Sequence, residues 1–420
     1  MKYRIRVLAL LFLLSIITYI DRVCISIAGP RMQADLGLSP SQWGWVVGAF
    51  TLSYALFEIP SGVMADKIGA RAVLTRIVLW WSAFTSLTGT VSNFFVLLLV
   101  RFCFGMGEAG AYPGSASAIS RWFPASERAR ATGFVWMASR LGGALSPLLV
   151  VPIQQAFDWR MSFYAFGFLG LFWCALWYWW YRDSPAQKAG VPQKEIHEIG
   201  IASARSHLPM PWSHILRQPG YWNILAMYHT YCWGSYFYLS WLGTYLQKGR
   251  GFSENEMKWA AMVPFLCGAT GNLVGGTLSD FLSKRIGLKL GRRIIGCAGL
   301  ALAGMFMLLT SQTESKTLTV VFLACGYGCM DCMLPVAWAV CLDVGGKYAG
   351  GISGSMNMAG QLGSFLTSLT FGYVVNYTKD YNSPLPLMGA MLLISAFLFT
   401  RLDPTKPLIR DEGEPLAKAA

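Results

Sequence analysis

Charge is scarce in this sequence. Asp, Glu, Lys and Arg make up 13% of its 420 residues, whereas 54% are hydrophobic. That balance excludes an ordinary soluble domain. Histidine is scarcer still, with four in the chain. The ten cysteines are scattered, mostly through apolar runs. Cys329 and Cys332 form a C-x-x-C inside a hydrophobic segment, with no second pair and no βαβ context. They point to no zinc or soluble redox domain and read as small buried hydrophobes. No nucleophile–base motif or metal cluster is legible, so an enzyme is not indicated. A convincing A-x-A cleavage site is also missing. The N-terminal apolar run passes the pair Asp21-Arg22 and continues to Pro30. It reads as an uncleaved first membrane helix.

What abounds is apolar sequence in stretches of about 20 residues, each long enough to span a bilayer. Twelve helices are predicted, at approximately 7–30, 43–65, 72–92, 94–121, 129–154, 160–181, 219–247, 257–281, 293–312, 317–341, 348–376 and 385–402. The expected fold class is an all-α membrane protein, with twelve transmembrane helices in two six-helix bundles. Residues 1–181 form the N-terminal bundle, 182–218 a polar, Pro-containing linker, and 219–420 the C-terminal bundle with a short tail. Within the linker, EIHEIGIASAR is expected to form a short amphipathic surface helix.

The formal net charge is +13. Its distribution argues against nucleic acid, because the basic residues occupy alternate loops. The two termini and the loops after the even-numbered segments hold 24 Lys and Arg, and the opposite side holds 7. By the positive-inside rule both termini are cytoplasmic.

The two halves repeat. The second segment ends in Gly62, three residues, Asp66, then Lys67, Gly69 and Arg71. The eighth ends in Gly276, three residues, Asp280, then Lys284, Arg285 and Gly287. Two copies at matched positions favour a duplicated fold over a merely solvated loop, and a 6 + 6 duplication is the pattern of two-bundle secondary transporters.

The most informative stretch is RFCFGMGEAGAYPGSASAISRWFP, from Arg101 to Pro124. Arg101 and Glu108 lie seven residues apart, about two helical turns or roughly 10.5 Å, and share one face. Gly105, Gly107, Gly110 and Gly114 offer a small-residue face for another helix. Gly105, Gly107 and Gly110 also match G-x-G-x-x-G, but without the preceding strand that a dinucleotide site needs. Elsewhere at membrane depth stand Asp21 and Arg22, and Arg140. Neighbouring helical positions point about 100° apart, so Asp21 and Arg22 cannot both aim at one point. Intramembrane charges persist where they face a protein interior or a wet cavity, so they are candidate functional residues. Arginine stays charged and grips carboxylates bidentately. A carboxylic acid exchanges a proton when desolvation and a nearby arginine pull in opposite directions. An anion that neutralised Arg101 would release a nearby carboxylate to take a proton, so anion and proton would favour each other's binding.

The loop GVMADKIGAR resembles the hallmark signature of the major facilitator superfamily. More narrowly, TYIDR, RFCFGMGEAGAYPG and GISGSMNMAGQLG resemble the anion:cation symporter family. That family includes bacterial galactonate, glucarate and hexuronate transporters, with sialin and the vesicular glutamate transporters. The resemblance implies that Arg22 and Arg101 hold a substrate carboxylate and that Asp21 and Glu108 carry protons. It implies that Tyr19, Tyr236, Trp338 and Asn357 line the cavity, Asn357 meeting substrate hydroxyls. Asp66, Arg71 and Asp280 belong to the gating loops, expected to stabilise the state closed on the cytoplasmic side. Arg140 fits the family pattern less well. It reads either as a ligand for a second acidic group or as a structural partner of Glu108 or Asp21. Asp331 is either a third proton site or the partner of a backbone amide near Pro335. His229 reads as a packed, hydrogen-bonded residue and Asp343 as structural. Where relatives carry T-W-L-P-T-Y, this chain has Ser240-Trp-Leu-Gly243-Thr-Tyr245, which removes a possible kink.

The function expected is proton-coupled uptake of an organic anion, a sugar acid or related hydroxy-carboxylate, across a bacterial inner membrane. The alternative is an anion exchanger or exporter of the same fold; a transporter-like sensor is a further class, for which the short termini offer no signalling module. The expected partners are the anion, protons and the bilayer, with a monomer as the working unit and no cofactor beyond the proton gradient.

Overall fold

A computed structural model describes residues 2–199 and 210–408. The described residues are predominantly helical. Helices α1 (Tyr3–Asp35), α2 (Pro40–Ile68), α3 (Ala70–Thr88), α4 (Phe94–Glu108), α5 (Ala111–Trp122), α6 (Ala125–Ala156) and α7 (Trp159–Trp180) form a first set. Two short helices follow, α8 (Gln193–Ile199) and α9 (Trp212–Ile215). The second set is α10 (Pro219–Ser240), α11 (Leu242–Thr244), α12 (Glu254–Ile286), α13 (Leu288–Gln312), α14 (Lys316–Gly345), α15 (Ala349–Thr378) and α16 (Leu385–Arg401). Among the described residues, seven helical stretches are long and apolar enough to cross a membrane. Large apolar side chains point outward, including Phe95, Leu99, Phe168, Phe172 and Leu273. A soluble monomer rarely exposes so much contiguous apolar surface, whereas a lipid-facing one does so throughout.

Local chemistry sets the helix ends. Asn93 caps α4 through Val96 N–H, and Ser253 and Glu256 form a capping box at the start of α12. The repeated loop signature has one backbone form in both copies. Gly69 breaks α2 from α3 at φ 100°, and Gly287 breaks α12 from α13 at φ 88°. Other residues are strained there. Asp66 stands three residues before its glycine and Asp280 seven before its own, so α12 runs about one turn further.

Two predicted segments are not continuous. The fourth breaks after Glu108, and α5 starts at Ala111. Gly110 and Pro113 explain this: one favours non-helical backbone, and the other lacks the N–H that would continue the ladder. The seventh also breaks, although it lacks the family proline. It ends at Ser240, resumes as α11, and widens into a five-residue π turn over Tyr245–Gly249. At Gly243 the chain lies against the Ser26 carbonyl, leaving no room for a side chain.

The two sets repeat one packing scheme. The pairs α1–α6, α2–α4 and α3–α7 recur as α10–α15, α12–α14 and α13–α16. Between the sets, α2 packs on α15, α6 on α12, and α1 on α10 and α11. At the far end, opposite the linker, the sets are tied together. Arg31 grips Glu254 at 2.6 and 2.8 Å, and Gln33 bonds Thr244. A Cβ on Gly44 would stand 2.6 Å from the Ser368 carbonyl oxygen, and Gly372 meets the Pro40 carbonyl. At the linker end, the ion pairs among the described residues stay within a set or reach the linker. Arg4 bonds Glu127, and Lys2 bonds Glu198 of α8. Glu195 of α8 accepts the Tyr3 and Arg4 backbone N–H groups, capping α1. The predicted linker helix therefore exists over its first half; residues 200–209 lie outside the described set.

Candidate functional site

Among the described residues, seven charged side chains are buried where the two sets meet: Arg22, Arg101 and Arg140, with Asp21, Glu58, Glu108 and Asp331. α1 supplies Asp21 and Arg22 on different faces, as their spacing requires. Arg22 turns to α4 and forms an ion pair with Glu108. Its guanidinium also lies 4.9 Å from the Tyr54 ring centroid and 5.4 Å from that of Tyr19. Such aromatic faces attract a cation, more strongly when both are dry.

Arg101 has no ion pair among the described residues. It lies 4.4 Å over the Phe104 ring, and its Nε is buried without a hydrogen-bond partner among those residues. Asp21 is 3% exposed, and both its oxygens lack partners within the same set. Asp21, Glu108 and Tyr236 lie within electrostatic reach of Arg101. Groups of opposite charge thus lie close together without a hydrogen bond joining them. An unsatisfied buried polar atom is unfavourable, so this arrangement suits a ligand that supplies the missing partners.

Arg140 pairs with Asp331 of α14, not with Glu108 or Asp21. Nε and Nη2 reach the two carboxylate oxygens at 2.5 and 2.9 Å, and Nη1 donates to Tyr19 Oη at 3.1 Å. The structural partners expected of both residues are corrected together: Arg140 holds Asp331, and Asp331 holds an arginine in place of a backbone amide. Their pairing joins α6 to α14 across the sets and was invisible at 191 residues' separation.

Asn357 donates to Glu58 Oε1 at 2.5 Å, again across the sets. Sequence reasoning missed Glu58, although an acid inside the apolar run before Pro60 was a legible signal. Tyr236 Oη reaches the Val47 carbonyl at 3.4 Å. Trp338 meets Trp136 at 5.7 Å between ring centroids, and Trp136 stacks on Tyr112 at 4.5 Å. That aromatic layer lies one turn from Arg140 on α6 and was also missed.

The loop residues lie away from this centre. Arg71 donates twice to the Tyr178 carbonyl, and its N–H bonds Asp183. Asp280 pairs with Arg292 at 2.7 Å, and Arg292 also meets Asp343. The side chain of Asp66 lies outside the described residues. His229 Nδ1 bonds the Ala359 carbonyl at 2.9 Å.

A duplicated helical fold with an apolar exterior and a buried charged centre defines a multi-pass membrane transporter. The chain belongs to the Major Facilitator Superfamily, whose family model matches residues 11–368. It is 34% identical to a probable sulfoacetate transporter of Cupriavidus necator, over 96% of each chain. It is 30% identical to a probable galactarate/D-glucarate transporter of Bacillus subtilis, over 96% of this chain and 93% of that one. Its fold is similar to a bacterial homologue of the lysosomal transporter Spinster in an inward-facing, occupied conformation. There the TM-score is 0.77 at 20% identity, covering 94% of this chain and 96% of that one. The chain is a transporter and not an enzyme.

Proposed function

We propose that this protein is a proton-coupled symporter that takes up an organic anion, a sugar acid or related hydroxy-carboxylate. The observation that supports this best is Arg101: a buried guanidinium without an ion pair, beside an Asp21 whose oxygens have no hydrogen-bond partner among the described residues. The relatives' names, sulfoacetate and galactarate/D-glucarate transporter, describe cargo of the same charge. Arg22 and Arg101 bind the substrate carboxylate, and Tyr19, Tyr236, Trp338 and Asn357 line the space around it. Asp21 and Glu108 take up protons. Arg140 turns to a second acidic group when Asp331 is protonated.

The working unit is a monomer with twelve spans in a bacterial inner membrane. Residues 1–181 and 219–420 rock about the centre, and 182–218 join them. Both termini are cytoplasmic, so the far end faces outward and is closed here. Asp66, Arg71 and Asp280 act when the inner side closes. The proton gradient drives the cycle without a cofactor.

Ligand-induced thermal stabilisation of purified protein tests this reading, with a panel of mono- and dicarboxylates, aldonates, uronates, aldarates and sulfonates. A bound ligand raises apparent stability by mass action. The expected result is an anionic hit that Arg101→Ala abolishes. A neutral or cationic hit surviving Arg101→Ala would overturn it. The Arg22–Glu108 ion pair favours one rival, because a carboxylate held by arginine can stay ionised throughout an exchange cycle. In an exchanger, Glu108→Gln retains counterflow and net transport alike. In the symporter, it retains counterflow and loses proton-driven accumulation.

A further inference from the structure

Four buried acids face three buried arginines at the centre, and Glu58 is the acid left over. Glu108 and Asp331 each hold an arginine, and Asp21 lies within reach of Arg101. Glu58 has no ion pair among the described residues. It is 7% exposed. Oε1 accepts from Asn357 Nδ2, and Oε2 is buried with no hydrogen-bond partner among those residues.

Its surroundings hold little charge. From α1, Arg22 lies within electrostatic reach, but Glu108 of α4 already grips it and the Tyr112 ring of α5 lies against it. On α2 itself the titratable neighbour among the described side chains is Tyr54, one turn away. α15 contributes the neutral Asn357 amide. On α3, Arg71 turns to Tyr178 and Arg76 is exposed. An ionised carboxylate with one neutral partner and one orphaned oxygen is unfavourable in such a place. A neutral carboxylic acid fits it, since its carbonyl oxygen still accepts the amide N–H.

Position gives this acid a role. Gly44, at the far-end seam, is 14 residues earlier on α2, about 21 Å along the helix axis. Glu58 therefore stands on the linker side of the centre, where α2 and α15 still touch. We infer that Glu58 is a proton-binding site of this transporter, holding a proton while α2 lies against α15 and releasing it to linker-side water when they part. No other bond changes: the proton leaves to water, and the carboxylate is hydrated in the opened seam. Its place in a transport cycle rests on the proton-coupled reading above; the site itself is tested without substrate.

The experiment compares full-length wild type and Glu58→Gln in detergent by infrared difference spectroscopy as pH is raised. Hydrogen exchange over residues 350–358 is followed in parallel, corrected for the intrinsic pH dependence of amide exchange. The expected wild-type result is a protonated-carboxyl band that disappears with rising pH, together with faster exchange. Glu58→Gln, neutral at every pH, lacks that band and keeps slow exchange. Glu58→Asp restores both responses, which a purely structural role would not produce. Glu58→Leu replaces the glutamine variant if that protein is not recovered. An unchanged band and an unchanged exchange response in the neutral variants would overturn the assignment. Absence of proton-driven accumulation by the wild type, with these spectra intact, would count against the symport reading alone.

Discussion

Asp331 decides what Arg140 can do. The guanidinium has three of its donors occupied, two by Asp331 and one by Tyr19. Removing one partner of a buried pair costs about 3–5 kcal/mol, because the remaining charge has no counter-ion. Asp331→Asn is therefore expected to lower the thermal unfolding midpoint in detergent well beyond a typical surface substitution. The double variant Arg140→Met/Asp331→Leu restores most of that loss, since neither charge remains. A double-mutant cycle on the unfolding midpoints measures the coupling. A double variant that loses the sum of the two single losses would mean that the pair does not act as a unit. Single acids and arginines were legible in the sequence as charges in apolar runs. Their partners were not, since Arg140–Asp331 and Glu58–Asn357 join positions brought together only by packing.

At the scale of helices, apolar periodicity and loop charge placed the long segments within a few residues. The exceptions were the breaks after Glu108 and Ser240. There, hydrophobicity continues while Gly110, Pro113 and the close approach of Gly243 to Ser26 interrupt the ladder. Hydropathy reports burial, not hydrogen-bond continuity, so it runs straight through such breaks. Gly44→Val tests the α2–α15 seam. The new side chain meets the Ser368 carbonyl, and overpacking of this kind costs about 1–3 kcal/mol. The expected outcomes are a lower unfolding midpoint and faster alkylation of a cysteine introduced at Gln33, which is buried at the same end. Unchanged alkylation would mean that the seam yields elsewhere.

For the whole molecule, the described residues tie the two sets together at the far end, while the ion pairs described at the linker end stay within a set or reach the linker. Arg31–Glu254 is partly exposed. Such a pair contributes about 0.2–1 kcal/mol, so its loss shifts the closed-to-open ratio by no more than roughly five-fold. Glu254→Gln should therefore raise far-end accessibility modestly, as measured by alkylation at the same Gln33→Cys site. The swap Arg31→Glu/Glu254→Arg should bring it back. High salt should mimic the single variant in wild type and have little effect in Glu254→Gln.

The seal at that end has another property. At Gly44 and Gly372 it is made by glycine against main chain, so its fit does not depend on the identity of side chains at the centre. A lineage can recut its cargo preference without loosening that seal. Closure is standardised hardware here, and selectivity is the interchangeable part.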